Sequence, residues 1–194
     1  MSSLQHFAII LAAGASQRMG TCKTALPWQG STLLQYQVQQ FLIVGVTPII
    51  VLGPHNRQRQ QNCPPESQVV INPTPQRGKT SSIQTGLQAL PSQWQTLFIS
   101  AVDQPRSASV YRTLLQSHQA RDAPMTAPTY QGKLGHPLVF SQRVHSALKT
   151  IGEETLGLRQ IIREFSASLN QVEFTTPTIL MDLNTPDSYK ALQQ

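Results

Sequence analysis

The sequence predicts an α/β fold in which a mostly parallel sheet is covered by helices on both faces, and three observations carry that prediction. Short apolar runs (FAII, IIVL, TLFISAV) alternate with stretches whose apolar residues recur every three or four positions. The runs are continuous rather than apolar–polar alternating, as strands buried on both faces require. Several of them end in loops marked by Gly, Pro or a lone charge, and in open parallel sheets ligands bind beyond the carboxyl ends of the strands. With 194 residues, 39% of them apolar, the chain suffices for one buried core, and residues 1–194 are expected to form a single domain.

The elements follow in order. His6 to Ala12 reads as a buried strand. Thr32 to Val44 reads as a helix with Leu33, Leu34, Val38, Phe41 and Leu42 on one face, ended by Gly45. Ile49 to Leu52 is the next strand, stopped by Gly53-Pro54, and a polar helical stretch leads to a strand at Gln68 to Ile71. The prolines of NPTPQRG mark a loop. Thr80 to Leu90 is helical, Thr96 to Val102 is a strand, and Ser107 to Gln119 is a helix with Ser107 as its cap. A short strand near Met125, a loop QGKLG, and a strand from Pro137 to Phe140 come next. Helices near Ser141–Lys149 and Leu156–Phe165, a strand around Gln171–Phe174 and a helix after Thr185-Pro186 complete a Rossmann-like three-layer sandwich.

Composition narrows the function. The net charge is +6, yet only 12% of residues are charged and 6% are aromatic, and no run of Lys or Arg forms a stripe. A nucleic-acid surface is therefore disfavoured, whereas a phosphorylated small molecule suits the positive excess. Cys22 and Cys63 lack metal-binding spacing and read as bystander thiols. MSSLQHFAII has no basic leader and no apolar stretch of membrane-spanning length, so a cytoplasmic protein without a membrane partner is expected.

Five stretches carry chemistry. LAAGASQRMGTCK, from Leu11 to Lys23, follows the first strand with small residues, then Arg18 and Lys23. Small residues let backbone N–H groups approach phosphate oxygens, and the two cations neutralise a polyphosphate; the same composition also fits an ordinary strand-to-helix turn with surface cations. GxGxxG is absent, and GxxxxGK[ST] fails at Pro73, so neither the dinucleotide fingerprint nor the P-loop is present. SAVDQP places Asp103 directly after a strand, as a cap, a turn residue or a metal ligand. MDLNTPDSYKAL, from Met181, holds Asp182 and Asn184, the latter a ligand or a helix cap. Gly135-His136-Pro137 precedes an apolar strand, and NPTPQRGKTSS, from Asn72 to Ser82, adds Arg77 and Lys79.

Taken together, these stretches resemble the nucleotidyltransferases that activate sugars, isoprenoid precursors and the molybdenum cofactor. The opening loop matches their LAAG-x-S-x-R-M-G-x-x-K signature, and the landmarks run in the family's order from Ile9 to Leu192. The resemblance implies that Leu11, Ala12, Ala13 and Gly14 lie along the nucleotide, with Arg18 and Lys23 on its phosphates. It implies that Asn72, Gly78 and Ser82 meet the base, and that Asp103 and the position of Asn184 hold catalytic Mg²⁺. Asn184 departs from the usual acidic residue there, with Asp182 as the substitute ligand; Ile83 departs from a common Leu. D-Q-P and G-H-P are the forms of the cytidylyl-transferring members, which implies that Gln104, Gly135, His136 and Pro137 lie on the acceptor side.

The activity implied is transfer of CMP from CTP to the phosphate of the molybdopterin cofactor, with release of pyrophosphate. Arg18, Lys23 and Asp103 are the catalytic residues it implies, and a molybdoenzyme or its chaperone is the implied recipient. The acceptor phosphate is already ionised near neutral pH, so positioning and charge stabilisation suffice without a general base. Transfer of GMP from GTP to the same cofactor, another phosphorylated acceptor, and a non-catalytic nucleotide-binding protein are the alternatives, the last kept open by Asn184.

Overall fold

The computed structural model describes residues 5–15, 19–152, 154 and 157–191. An eight-stranded sheet forms the centre, and its order explains which loops meet. Strand β1 (His6–Leu11) lies between β4 (Val46–Leu52) and β6 (Thr96–Ala101), parallel to both, with Leu11 level with Val51 and Ala101. Outside β4 lies β5 (Gln68–Ile71), also parallel. Beyond β6 come β9 (Leu138–Ser141), β7 (Met125–Tyr130) and β10 (Leu169–Glu173). β9 runs antiparallel to both neighbours, while β10 is parallel to β7. A two-residue strand β8 (Lys133–Leu134) pairs with β7, so the expected loop QGKLG contains a tight hairpin. A separate ribbon joins β2 (Pro27–Trp28) to β3 (Ser31–Thr32).

Alternate residues of each central strand enter opposite cores, which is why the runs are apolar throughout. Phe7, Ile9, Ile49, Val51, Leu97 and Ile99 face one side, where they meet α2 (Lys79–Gln88), α4 (His145–Lys149) and α5 (Leu158–Glu164). Ala8, Ile10, Ile50, Leu52 and Phe98 face the other, against α1 (Leu33–Ile43) and α3 (Ala108–Arg121). The C-terminal helix α6 spans Pro186–Ala191. α1 begins in a capping box: Thr32 accepts from the Gln35 amide while the Gln35 side chain accepts from the Thr32 amide. Against β1, α2 lies so close at Gly86 that a Cβ there would stand 2.7 Å from Ile9 Cγ2.

Three expectations change. The expected polar helical stretch is 3₁₀, over Pro54–Asn62, and breaks at Asn56, its single buried residue, because it has no apolar face to pack. β4 begins three residues earlier than its apolar run, at Val46, and includes Pro48; β5 starts opposite Ile49, so Pro48 has a ladder neighbour on one side only, where proline is tolerated. Ser107 is the N-cap residue of α3 but makes no capping bond to the helix backbone, its hydroxyl meeting that of Ser109 instead.

Candidate active site

At the carboxyl ends of β1, β4 and β6 the backbone ladder continues just far enough to fix the loops. The Ala12 amide donates to the Val51 carbonyl and the Val102 amide to the Leu11 carbonyl. Asn56, buried in the 3₁₀ turns, donates to the Ala12 carbonyl at 2.9 Å and accepts from the Gly53 amide. Its amide therefore holds the opening loop against the end of β4.

Asp103 follows β6 directly, and its turn is supported from below. Gln37, fully buried in α1, donates to Ser100 Oγ and to the carbonyls of Ala101 and Gln104. Above the turn lies a strap formed by residues 179–184. Arg106 ties that strap down: its guanidinium, 3% exposed, donates to the carbonyls of Ile179, Met181, His136 and Pro105. The Leu183 amide then donates to the Asp103 carbonyl at 2.8 Å. Burial pushes the Arg106 guanidinium below its ordinary range, against the charges of Tyr111, Asp182 and Asp103.

The result is a convergence of three distant residues. Lys23 Nζ lies 2.7 Å from Asp103 Oδ2 and 2.9 Å from Asn184 Oδ1. Asp182 faces elsewhere, accepting from Gln104 Nε2 at 2.9 Å. The two oxygens proposed from the sequence as metal ligands thus meet at one cation. Among the described residues no three His, Cys, Asp or Glu side chains converge as a metal cluster, so any ion here would rest on Asp103, the Asn184 amide and oxygens from outside the chain.

A cavity of about 250 Å³ opens beside this trio. Leu11, Ala12, Ala13 and Gly14 form one wall, and Gly78, Lys79 and Ser82 at the start of α2 form another, with Lys23 and Asp103 at one end. The expected nucleotide residues are brought together there, with two exceptions. Arg18 lies outside the described residues. Asn72 lines a neighbouring cavity, and its buried amide bonds Ser81 Oγ, Ser82 Oγ and the Thr74 N–H, so it shapes the loop before α2 from behind. Gly78 has φ +93°, a left-handed value at the entry to α2 that favours glycine.

A second cavity, of about 460 Å³, shares Leu11, Lys79 and Ala101 with the first. It holds Gln104 and His136, while the flanking Gly135 and Pro137 do not line it. Gly135 instead lies against the strap, where a Cβ would stand 2.4 Å from the Ile179 carbonyl oxygen. Burial holds His136 below the usual imidazole range, helped by the Arg106 and Lys79 charges and opposed by Asp182 and Asp103. A neutral imidazole there offers one donor and one acceptor. The extra cations part company: Lys79 lines both of these cavities, and Arg77 lines the neighbouring one beside Asn72.

Arg106, Gln37 and Asn56 escaped the sequence reading. Gln37 left a signal, a lone polar residue on the apolar face of α1 between Leu34 and Phe41. Arg106 and Asn56 left none, because their strongest contacts are to backbone groups that no side-chain pattern announces.

Residues 8–172 match the MobA-like NTP transferase domain. The chain belongs to that family. Among curated relatives, this MobA-like transferase is 26% identical over 185 residues to the molybdenum cofactor cytidylyltransferase of Escherichia coli (strain K12), covering 93% of this chain and 92% of that one. It is 27% identical over 168 residues to the nicotine blue oxidoreductase of Paenarthrobacter nicotinovorans, covering 80% of each. Among solved structures, Rv0371c from Mycobacterium tuberculosis superposes with a TM-score of 0.85 at 22% identity, covering 99% of this chain and 98% of that one. The MobA-like chain is a nucleotidyltransferase, and its mixed, mostly parallel sheet with surrounding helices is a fold it shares with Rv0371c.

Proposed function

We propose that this nucleotidyltransferase transfers CMP from CTP to the phosphate of the molybdopterin cofactor. The observation that carries this reading is the meeting of Lys23, Asp103 and Asn184 beside a cavity walled by Leu11 and the small residues 12–14. The relationship to a cytidylyltransferase over 93% of the chain supports the choice of substrates, as do the D-Q-P and G-H-P forms. In the reaction, an oxygen of the acceptor phosphate forms a bond to the α-phosphorus of CTP. The α–β phosphoanhydride bond breaks, and its electron pair leaves on pyrophosphate.

The backbone of residues 11–14 borders the nucleotide, and Gly78 and Ser82 lie toward its base. Lys23, with Arg18 as the family resemblance implies, offsets charge on the leaving pyrophosphate. Gln104 and His136, in the adjoining cavity, receive the acceptor, with Gly135 and Pro137 shaping the turn that carries His136. Asp103 Oδ2 and Asn184 Oδ1 already converge on an ammonium, so this donor set suits a hard cation, and Mg²⁺ is the ion we assign to it. When bound, such an ion draws charge from phosphate oxygens as a Lewis acid. Residues 1–194 would act as one domain in the cytoplasm and hand the product to a molybdoenzyme or its chaperone.

Pyrophosphate release with Mg-CTP and with Mg-GTP, each with and without molybdopterin cofactor, tests the reading. Release that requires both CTP and the cofactor is the expected result. Release with GTP alone would move the assignment to guanylyl transfer, and release with neither nucleotide would remove it.

A further inference from the structure

The Lys23 ammonium occupies the lone pairs that a divalent ion would need. It lies 2.7 Å from Asp103 Oδ2 and 2.9 Å from Asn184 Oδ1, while magnesium binds oxygens at about 2.0–2.1 Å. The pair is mostly sheltered, with the Lys23 and Asp103 side chains 12% and 17% exposed, so bulk water competes little for it. Neither oxygen can easily retreat to make room for both cations. The Asp103 carbonyl is bonded to Leu183, next to Asn184, and Arg106 fixes the preceding strap through the Ile179 and Met181 carbonyls.

Charge points the same way. One carboxylate and one neutral amide balance one ammonium. Adding a divalent ion would place a second cation on the Asp103 carboxylate that Lys23 already pairs with, and Lys79 lies on the cavity wall as well. A nucleoside triphosphate changes that balance, because its oxygens complete the ion's ligands and at the same time give the ammonium a new anionic partner.

We propose that the Lys23 ammonium and the divalent metal are alternative occupants of one seat, so that this chain takes up metal only together with nucleotide. Lys23 holds the two oxygens in place for the ion and then moves to the triphosphate as the metal arrives. The inference rests on the assignment of Asp103 and Asn184 as metal ligands under Proposed function, but it involves neither the acceptor nor turnover. Linkage makes it reciprocal: metal must tighten CTP by the factor by which CTP tightens metal.

Mn²⁺ titration of the full chain, followed by electron paramagnetic resonance of the free ion, provides the test. For the unsubstituted protein, saturating CTP is expected to tighten Mn²⁺ binding at least tenfold. Lys23→Met is expected to bind Mn²⁺ at least tenfold more tightly than the unsubstituted protein when no nucleotide is present, and to gain much less from CTP. Asp103→Asn in the Lys23→Met background is expected to abolish that gain, and Lys23→Gln serves in place of Lys23→Met if the latter melts early. Equal Mn²⁺ affinity in the Lys23 variant and the unsubstituted chain would overturn the proposal. So would tight binding without CTP in the unsubstituted chain, or a gain that survives Asp103→Asn. If the Lys23 variant gains Mn²⁺ while no nucleotide yields pyrophosphate, the proposed reaction fails and the shared seat stands.

Discussion

Asp103 joins two kinds of contact in one residue: its carbonyl receives the Leu183 amide, and its carboxylate receives Lys23. An amide of the same shape keeps the first and loses the charge of the second. Asp103→Asn is therefore expected to retain its fold by circular dichroism while pyrophosphate release falls at least about 100-fold, the usual effect of removing one charge-stabilising group. Turnover within a few-fold of the unsubstituted enzyme would remove Asp103 from the site. The sequence marked Asp103 as a carboxylate at the end of an apolar run, open to cap, turn or ligand, and the family resemblance singled out the ligand; the small residues 12–14 were marked in the same two steps. The ammonium contact was not legible, since Lys23 was expected on phosphate and its nearest partners lie far away along the chain. Arg106 makes the point most sharply. Its function is to satisfy four backbone carbonyls, and carbonyls are the one chemical group every residue has. Arg106→Lys keeps a charge but not the planar fork. It is expected to weaken metal-dependent CTP binding, read as thermal stabilisation by Mg-CTP, more than it lowers the melting temperature of the protein alone.

At the scale of elements, the positions of the seven longer strands were readable, while the two-residue strands β2, β3 and β8 and the strand directions were not. A run such as LVF before Ser141 is apolar on both faces whichever way it points, and only the connection from β8 shows that β9 runs backwards between β6 and β7. The helices that were foreseen have an apolar face and, for α1, a capping box in the letters themselves; the Pro54–Asn62 stretch was foreseen as helical on polarity alone and lacked a face to pack. Contact between α2 and β1 depends on Gly86. Because Ile9 is fully buried and cannot swing aside, Gly86→Ala is expected to destabilise the fold by about 1–3 kcal/mol by overpacking. Urea denaturation measures this, and an unchanged midpoint would mean that α2 can lift from the sheet without cost.

At the scale of the molecule, four histidines move in the same direction. Burial lowers His6, His136 and His145 below the ordinary imidazole value, and lowers His118 to about 4, where its Nδ1 meets Thr126 Oγ1. Around His118, the Arg143 and His6 charges reinforce the shift and Asp122 opposes it. A folded pKa below the unfolded 6.5 means that the unfolded chain binds more protons between those values, so stability rises with pH through that window. His118 alone should withdraw about 2 kcal/mol between pH 7.5 and pH 5. Melting temperatures at those two pH values should differ by several degrees, and His118→Asn should narrow the gap; an equal gap in the variant would show that His118 is not the source.

The Lys23 ammonium reaches Asp103 and Asn184 across 80 and 161 positions of chain. At about 5–20 residues per second of synthesis, Lys23 is made roughly 8–30 s before Asn184. For all of that interval the growing polypeptide has Lys23 and lacks the Asn184 oxygen that meets it. The strap bearing Asn184 comes after the last strand, β10, so every strand of the sheet is synthesised before the ribosome supplies the Asn184 amide. The meeting of Lys23, Asp103 and Asn184 is thus a late event in synthesis, open only to a chain that already carries the whole sheet.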